Sequence, residues 1–531
     1  MSVCSNRRVS VPKEVMTGNN DAVGRLGRNN RLSLIGSLVS AALGFVVVFV
    51  VTRGLGTQGA GIVFVAAGVF NIAMQSAVLG TDAGLVRFIA QARTSNNEST
   101  IAALLKAAVV PVVVIGVALG ILVAVLAEPI GGLFTGEGEL DADVPSAIRV
   151  VAVIFPIGAI AMALLAATRG FGQLRTTALA DQIARPVIQL IAVAAVVIAG
   201  AGPVWATAAW VGPIIVSAVA SATWLRGAVP AQSEPGSNAE RAITSEFWSF
   251  SRPQAGTGML RVVVRWLGTL VVGALLSLGA AAIFTAATRL LKLGNFVNQA
   301  TFQAAAPQIA EDLGTGEVEQ ASAVYRSSST WLVLATWPLY LGTLFYAPEI
   351  LGLFGADFVE GASALRILAA AMLVASASGP IEAVLVMSGR TTQNLINNVI
   401  ALGVNIGLLF VLVPPFGLEG AAIAWAVSVL CTNLLPMSQV VRSLGMHPFG
   451  LTHLMTMAAI AVGFAITALI SRALGLADIP TLLVGIGLAA VPVILFAWWQ
   501  RDALALDRLL RPGSKAKGEP VSTGVSTGDE E

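Results

Sequence analysis

This chain is poor in the residues from which catalytic and metal centres are built. Its 531 residues include 2 cysteines, 2 histidines and 3 tyrosines, and charged residues make up only 11%. Cys4 lies in a polar leading segment and Cys431 in an apolar run, so they make neither a disulfide framework nor a metal site. His447 and His453 have no Cys or acid beside them at metal-ligand spacing. The charge content is far below the roughly one quarter expected of a soluble domain, which argues against a soluble enzyme. A net charge of +2 offers no electrostatic footprint for nucleic acid. The many glycines follow no phosphate-loop pattern and suit close helix packing instead. No cofactor and no catalytic residue is expected.

What the chain has is long apolar runs. About fourteen of them are long enough to cross a bilayer as helices, which predicts an all-α polytopic membrane protein. They fall at 32–51, 60–80, 107–127, 148–167, 178–200, 204–224, 254–276, 280–303, 331–347, 362–387, 393–413, 419–440, 451–473 and 480–499. Basic residues outside the spans gather on one side, with Arg53 the exception, while Glu128, Glu137, Glu139, Asp141, Asp143, Glu349, Asp357 and Glu360 gather on the other. The positive-inside rule then puts both termini in the cytoplasm. Residues 1–31 read as a basic cytoplasmic tail, with too long a first span for a cleaved signal peptide. Residues 500–531 read as a disordered tail.

The chain also looks duplicated. Arg175-Thr176-Thr177 recurs as Arg390-Thr391-Thr392, and Trp210 and Trp425 follow at the same distance from each arginine. Gly202 and Gly417 keep this register. Gly59-Ala60 with Phe64-Val65-Ala66-Ala67 resembles Gly279-Ala280 with Phe284-Thr285-Ala286-Ala287. Two parallel six-helix lobes, 32–224 and 254–440, are expected, joined by a linker at 225–253 and followed by two extra helices within 451–499. Parallel repeats of this kind belong to alternating-access transporters.

Ionisable groups inside spans are costly, at about 2.5–3.5 kcal/mol each on insertion scales, and so mark cavities or partners. Arg261 and Arg265 are spaced to share a helical face, and Arg289, Lys292, Asn295 and Gln299 form a polar stripe on the next span. Asn71 and Gln75 occupy the repeat-related position in the first half. Helix-end snorkelling explains any one of the basic groups taken alone. Together, without a neighbouring acid, they point to an anion-binding cavity. Asp181 pairs locally with Arg185, and Gln189 continues that stripe. Glu382 follows Gly379-Pro380, where the proline frees a backbone carbonyl, and stands either as an H⁺ or Na⁺ coupling group or as a packing residue. Asn394, Asn398 and Asn405 read as helix-packing polar groups.

The segment Phe49-Val50-Val51-Thr52-Arg53-Gly54-Leu55-Gly56, then Gly59 and Gly61, then Gly80-Thr81-Asp82-Ala83-Gly84-Leu85-Val86-Arg87-Phe88, resembles the start of bacterial polysaccharide (O-antigen, Wzx-like) flippases. The second half resembles them too, through Ala347-Pro348-Glu349-Ile350-Leu351, Phe354-Gly355, Ser388-Gly389-Arg390 and Pro414-Pro415-Phe416-Gly417-Leu418-Glu419-Gly420. The likeness covers nearly all of 30–445. It places the chain in the multidrug/oligosaccharidyl-lipid/polysaccharide exporter superfamily, which implies two lobes in a V shape around a central cavity. It also implies transfer of a polyprenyl-diphosphate-linked oligosaccharide across the bilayer, with Arg53 joining the substrate-binding set and the last two helices forming a groove for the lipid tail. Polysaccharide polymerase and glycosyltransferases are the partners such a role implies. Alternatives are a lipid II flippase, for which the first span lacks internal basic residues, and an ion-coupled multidrug antiporter, for which the cavity lacks acids. A membrane glycosyltransferase would need a larger soluble portion, and a non-transporting scaffold would not need buried arginine.

Overall fold

A computed structural model describes residues 13–95, 100–134, 142–229 and 237–473. Among the described residues the protein is all-α, without a strand. In a bilayer only internally hydrogen-bonded backbone is tolerated, and helices provide it. The main elements are α1 (Lys13–Val78), α2 (Thr81–Thr94), α3 (Ile101–Val125), α4 (Asp143–Gly170), a π-helical turn Thr177–Ala184 running into α5 (Arg185–Ile198), α6 (Gly202–Val211) and α7 (Ile214–Ala228). The second half contains α8 (Ser237–Leu275), α9 (Leu278–Gly314), α10 (Val318–Phe345), α11 (Ala362–Ala377), α12 (Ile381–Met387), α13 (Thr391–Leu444) and α14 (Leu451–Ala473).

Eight helices in this region are long and apolar enough to cross a membrane. That is fewer than the fourteen runs read from the sequence. Part of the difference lies in Gly36–Val78 and Thr391–Leu444, each of which covers two of those runs. They bend at Gly56 (φ 67°) and Gly417 (φ 56°), left-handed positions that suit glycine. The second bend is a full reversal. Asn397 and Gln439 exchange side-chain hydrogen bonds of 2.9 Å, and the Ser428 hydroxyl donates to the Ala401 carbonyl at 2.9 Å. The run expected at 480–499 and the tail 500–531 lie outside the described residues, as do 1–12.

Parts of the expected tail and linker are helical. Residues 13–31 continue α1, and 237–253 form the start of α8. The latter helix has an apolar face: Phe247 is fully buried beside Leu85, Phe88 and Ile89, and Phe247 and Phe250 meet Phe88 edge-on. Burying those rings favours helix over linker.

The run 362–387 breaks at Ser378-Gly379-Pro380, between α11 and α12. Proline cannot donate, and the turn leaves carbonyls without helical partners. Side chains from neighbouring helices take them. Tyr325 of α10 donates its hydroxyl to the Ser378 carbonyl at 2.6 Å, and His453 Nε2 of α14 meets the Ala377 carbonyl at 3.2 Å. Thus α14, which follows the duplicated part of the sequence, is tied to the break in the second half.

The polar stripe on α13 also differs from the sequence reading. Asn397, one position from Asn398, is the buried partner of Gln439, while Asn398 is exposed. Asn405 is buried, and Asn394 bonds outside the stripe. The position of the returning helix around Gln439 selects the face, and spacing alone does not carry that information.

Candidate functional site: a cationic cavity

A cavity of about 800 Å³ lies among α1, α5, α6, α8, α9 and α13. The π-helical turn reaches it through Gln182. Such turns widen a helix locally and often occur at functional positions.

Seven of the residues picked out by sequence come together here: Arg261 and Arg265 from α8, Arg289, Lys292, Asn295 and Gln299 from α9, and Asn71 from α1. Helical periodicity explains the first two groups. Arg261 and Arg265 are one turn apart, and the α9 residues repeat every three or four positions. The Arg289 guanidinium carbon lies 5.9 Å from the Trp266 ring centroid, and its Nε is buried without a hydrogen bond. Among the described residues, none of the four basic groups forms a salt bridge, and no Asp or Glu lines the cavity. Arg261 and Arg265 are exposed and Arg289 and Lys292 half-buried, so this concentration of unpaired charge attracts an anion, most strongly beside the buried Arg289 Nε.

Three expected site residues lie elsewhere. Gln75 is buried at the seam between α1 and α8, with its side chain against Gly258. Arg53 donates from Nε to the Leu353 carbonyl at 2.5 Å and from a terminal nitrogen to the Gly352 carbonyl at 3.3 Å. It therefore caps the C-terminal end of the short helix Ala347–Gly352, where a cation is favoured. Glu382 is exposed at the start of α12 and accepts a 3.1 Å hydrogen bond from Asn394. It is not among the cavity-lining residues.

Aromatic rings pack beside the cavity near Arg53. Phe45, a lining residue, and Phe49 meet Phe354 edge-on at 5.6 and 6.0 Å between centroids, and Phe354 also contacts Phe358. Both Phe354 and Phe358 are buried. Close by in the chain, Gly61 of α1 approaches the Leu278 backbone so closely that a Cβ would lie 2.1 Å from its carbonyl oxygen. Toward the far end of the α9 stripe, Asn295 and Gln299 are exposed.

Several lining residues had weaker sequence signals. Arg185 lines the cavity and pairs with Asp181 at 3.3 Å, as the i,i+4 spacing suggested. Trp210 and Trp425, singled out only as repeat markers, both reach it. Ser40, Gln182 and Trp266 carried no signal that set them apart from other span residues.

The family model for polysaccharide biosynthesis protein matches residues 26–311, more than half of the chain. The chain belongs to this family. The matched region includes every cavity cation. A further match is a probable low-salt glycan biosynthesis flippase of Haloferax volcanii, 27% identical over 178 residues, or 32% of this chain. The match spans only 36% of that relative. The fold is similar to that of the lipid II flippase MurJ in an inward closed conformation, with TM-score 0.70, 13% identity, and coverage of 90% of this chain and 99% of that one. It is also similar to a multidrug resistance MATE family transporter of the MOP superfamily in an inward-facing conformation. There the TM-score is 0.64 at 17% identity, covering 76% of this chain and 94% of that one. The chain thus has the helical fold of these two solved proteins.

Proposed function

We propose that this protein is a flippase that moves a polyprenyl-diphosphate-linked oligosaccharide from the inner to the outer leaflet of the plasma membrane by alternating access, in the service of cell-surface polysaccharide synthesis. The observation that carries the reading is the cavity wall of Arg261, Arg265, Arg289 and Lys292, unpaired among the described residues and free of lining carboxylates. A diphosphate supplies the missing negative charge, and arginine forks match its oxygens. Family membership and the flippase among the relatives support the same direction. A cation-exporting antiporter is disfavoured, because a cationic cavity repels its substrate.

The test is export. A hydrogen bond to a charged group contributes about 1.5–3 kcal/mol, so losing one weakens binding roughly ten- to a hundred-fold. Arg265→Ala and Arg289→Ala, singly and together, are expected to stop surface polysaccharide export while membrane abundance stays normal. Undiminished export by the double variant would overturn the cationic-cavity mechanism. Coupling to H⁺ or Na⁺ is part of the proposal, with Glu382 as its candidate group. In reconstituted vesicles Glu382→Gln is expected to remove gradient dependence. Unchanged dependence would leave this carboxylate as the partner of Asn394 alone. Polymerase and glycosyltransferases are the proposed functional partners.

A further inference from the structure

We propose that the cavity reads its ligand in two parts, with the diphosphate on the α8 and α9 wall and the first sugar on a separate subsite made by Asn71, Gln182, Gln189 and Trp210. This inference rests on the flippase reading and adds a substrate class: a neutral first sugar recognised through hydroxyl or amide groups.

The two walls differ in chemistry. Uncompensated positive charge is confined to residues 261–292, on α8 and α9. On the other wall the one basic lining residue, Arg185, is neutralised by Asp181 at 3.3 Å, which itself accepts a 2.9 Å hydrogen bond from Ser217. That wall is polar without net charge. A phosphate, which only accepts hydrogen bonds and carries charge, belongs on the first wall. A ligand that both donates and accepts belongs on the second.

The second wall has unused capacity for such a ligand. Gln182 lines the cavity, and its buried Oε1 lies against Gly36 of α1 without a hydrogen bond, although buried amides are normally satisfied. Gln189 has no hydrogen-bond partner among the described residues, and Asn71 spends its amide nitrogen on the Ala67 carbonyl at 2.7 Å, leaving its carbonyl oxygen without a bond. Primary amides both donate and accept, as sugar hydroxyls do. Trp210 completes the set. It is half-buried, fixed by edge-on contact with Phe64 at 5.7 Å, and offers an aromatic surface to the C–H face of a sugar ring. The π-helical turn Thr177–Ala184 sets the backbone from which Gln182 reaches in. The cavity, at about 800 Å³, is within the roughly 300–1,000 Å³ of ordinary ligand sites and has room for both parts.

The test uses the full chain in lipid nanodiscs, with binding measured by native mass spectrometry. The probes are undecaprenyl diphosphate without sugar and a panel of undecaprenyl-diphosphate monosaccharides carrying glucose, galactose or N-acetylglucosamine. Wild type is expected to bind at least one glycosylated probe about tenfold more tightly than the bare carrier, the effect of one to two neutral hydrogen bonds. Gln189→Ala, Gln182→Ala and Trp210→Leu are expected to erase that preference while affinity for the bare carrier stays within about twofold. Arg289→Ala is expected to weaken all probes alike. Should Gln182→Ala fail to fold, Gln189→Ala and Trp210→Leu carry the same expectation. A preference that survives in the folded variants, or no preference for any sugar in wild type, would overturn the sugar subsite while leaving the flippase reading intact. Failure of wild type to bind the bare carrier would instead remove the diphosphate reading beneath it.

Discussion

Arg289 and Arg53 show how the same residue type takes opposite roles. Arg289 has a buried, unbonded Nε above Trp266, so its capacity is open to a ligand. Arg53 spends its capacity on the Leu353 and Gly352 carbonyls. Arg289→Lys keeps a charge but loses the planar fork, and is expected to cut transport about tenfold in vesicle assays, whereas a bare charge requirement would leave the rate unchanged. The sequence marked both residues by their rarity near apolar runs. It could not separate them, because the carbonyls that occupy Arg53 come from three hundred residues away. His453 is a similar case. Its sequence spacing carried no structural role, and its part in satisfying the Ala377 carbonyl depends on how α14 packs. His453→Ala is expected to lower stability by about 1 kcal/mol, the scale of polar contacts inside membranes, read as a lower melting temperature in detergent.

At the scale of elements, glycine spacing and proline placement decide where helices bend and touch. Gly61 leaves no room for a methyl group beside the Leu278 carbonyl, and backbone cannot move aside as a flexible side chain would. Gly61→Ala is therefore expected to push α1 from α9 at a cost of about 1–3 kcal/mol, with reduced transport. Gly403, with nothing within 4 Å of its would-be Cβ, is the control, and Gly403→Ala should be neutral. The broken segment at Ser378-Gly379-Pro380 was legible from its Gly-Pro pair. The residues that complete it, Tyr325 and His453, were not, since nothing in their own sequence neighbourhoods refers to that break. The start of α8 was misread as linker because its charged and polar residues hide one apolar face, and that face has meaning only beside α2.

For the whole molecule, the distribution of basic residues proposes that both termini are cytoplasmic and that the end of the cavity near Arg53 faces outward. Membrane-impermeant thiol reagents applied to intact cells are expected to label Ser146→Cys and Ala356→Cys but not Ser237→Cys. Labelling of the last variant from outside would reverse the orientation, and with it the direction in which the cavity opens. On that proposed map the aromatic cluster of Phe45, Phe49, Phe354 and Phe358 lies on the outer side, and the proposed alternating access would need this packing to separate.

The sequence by itself determined the class of molecule, because apolar length and the cost of unpaired backbone in lipid leave helices as the solution. It also picked out the stripe from Arg289 to Gln299 and the pair Arg261 and Arg265, since helical spacing and the expense of charge in a membrane are local properties. Tertiary structure decided what those stripes face. Only packing brought Gln182, Gln189 and Trp210 to the same cavity as the cations, sent Gln75 into a helix seam, and left Glu382 on an exposed surface. Those assignments depend on which distant helix arrives at each face, and hydrophobic spacing along one helix carries no record of its neighbour.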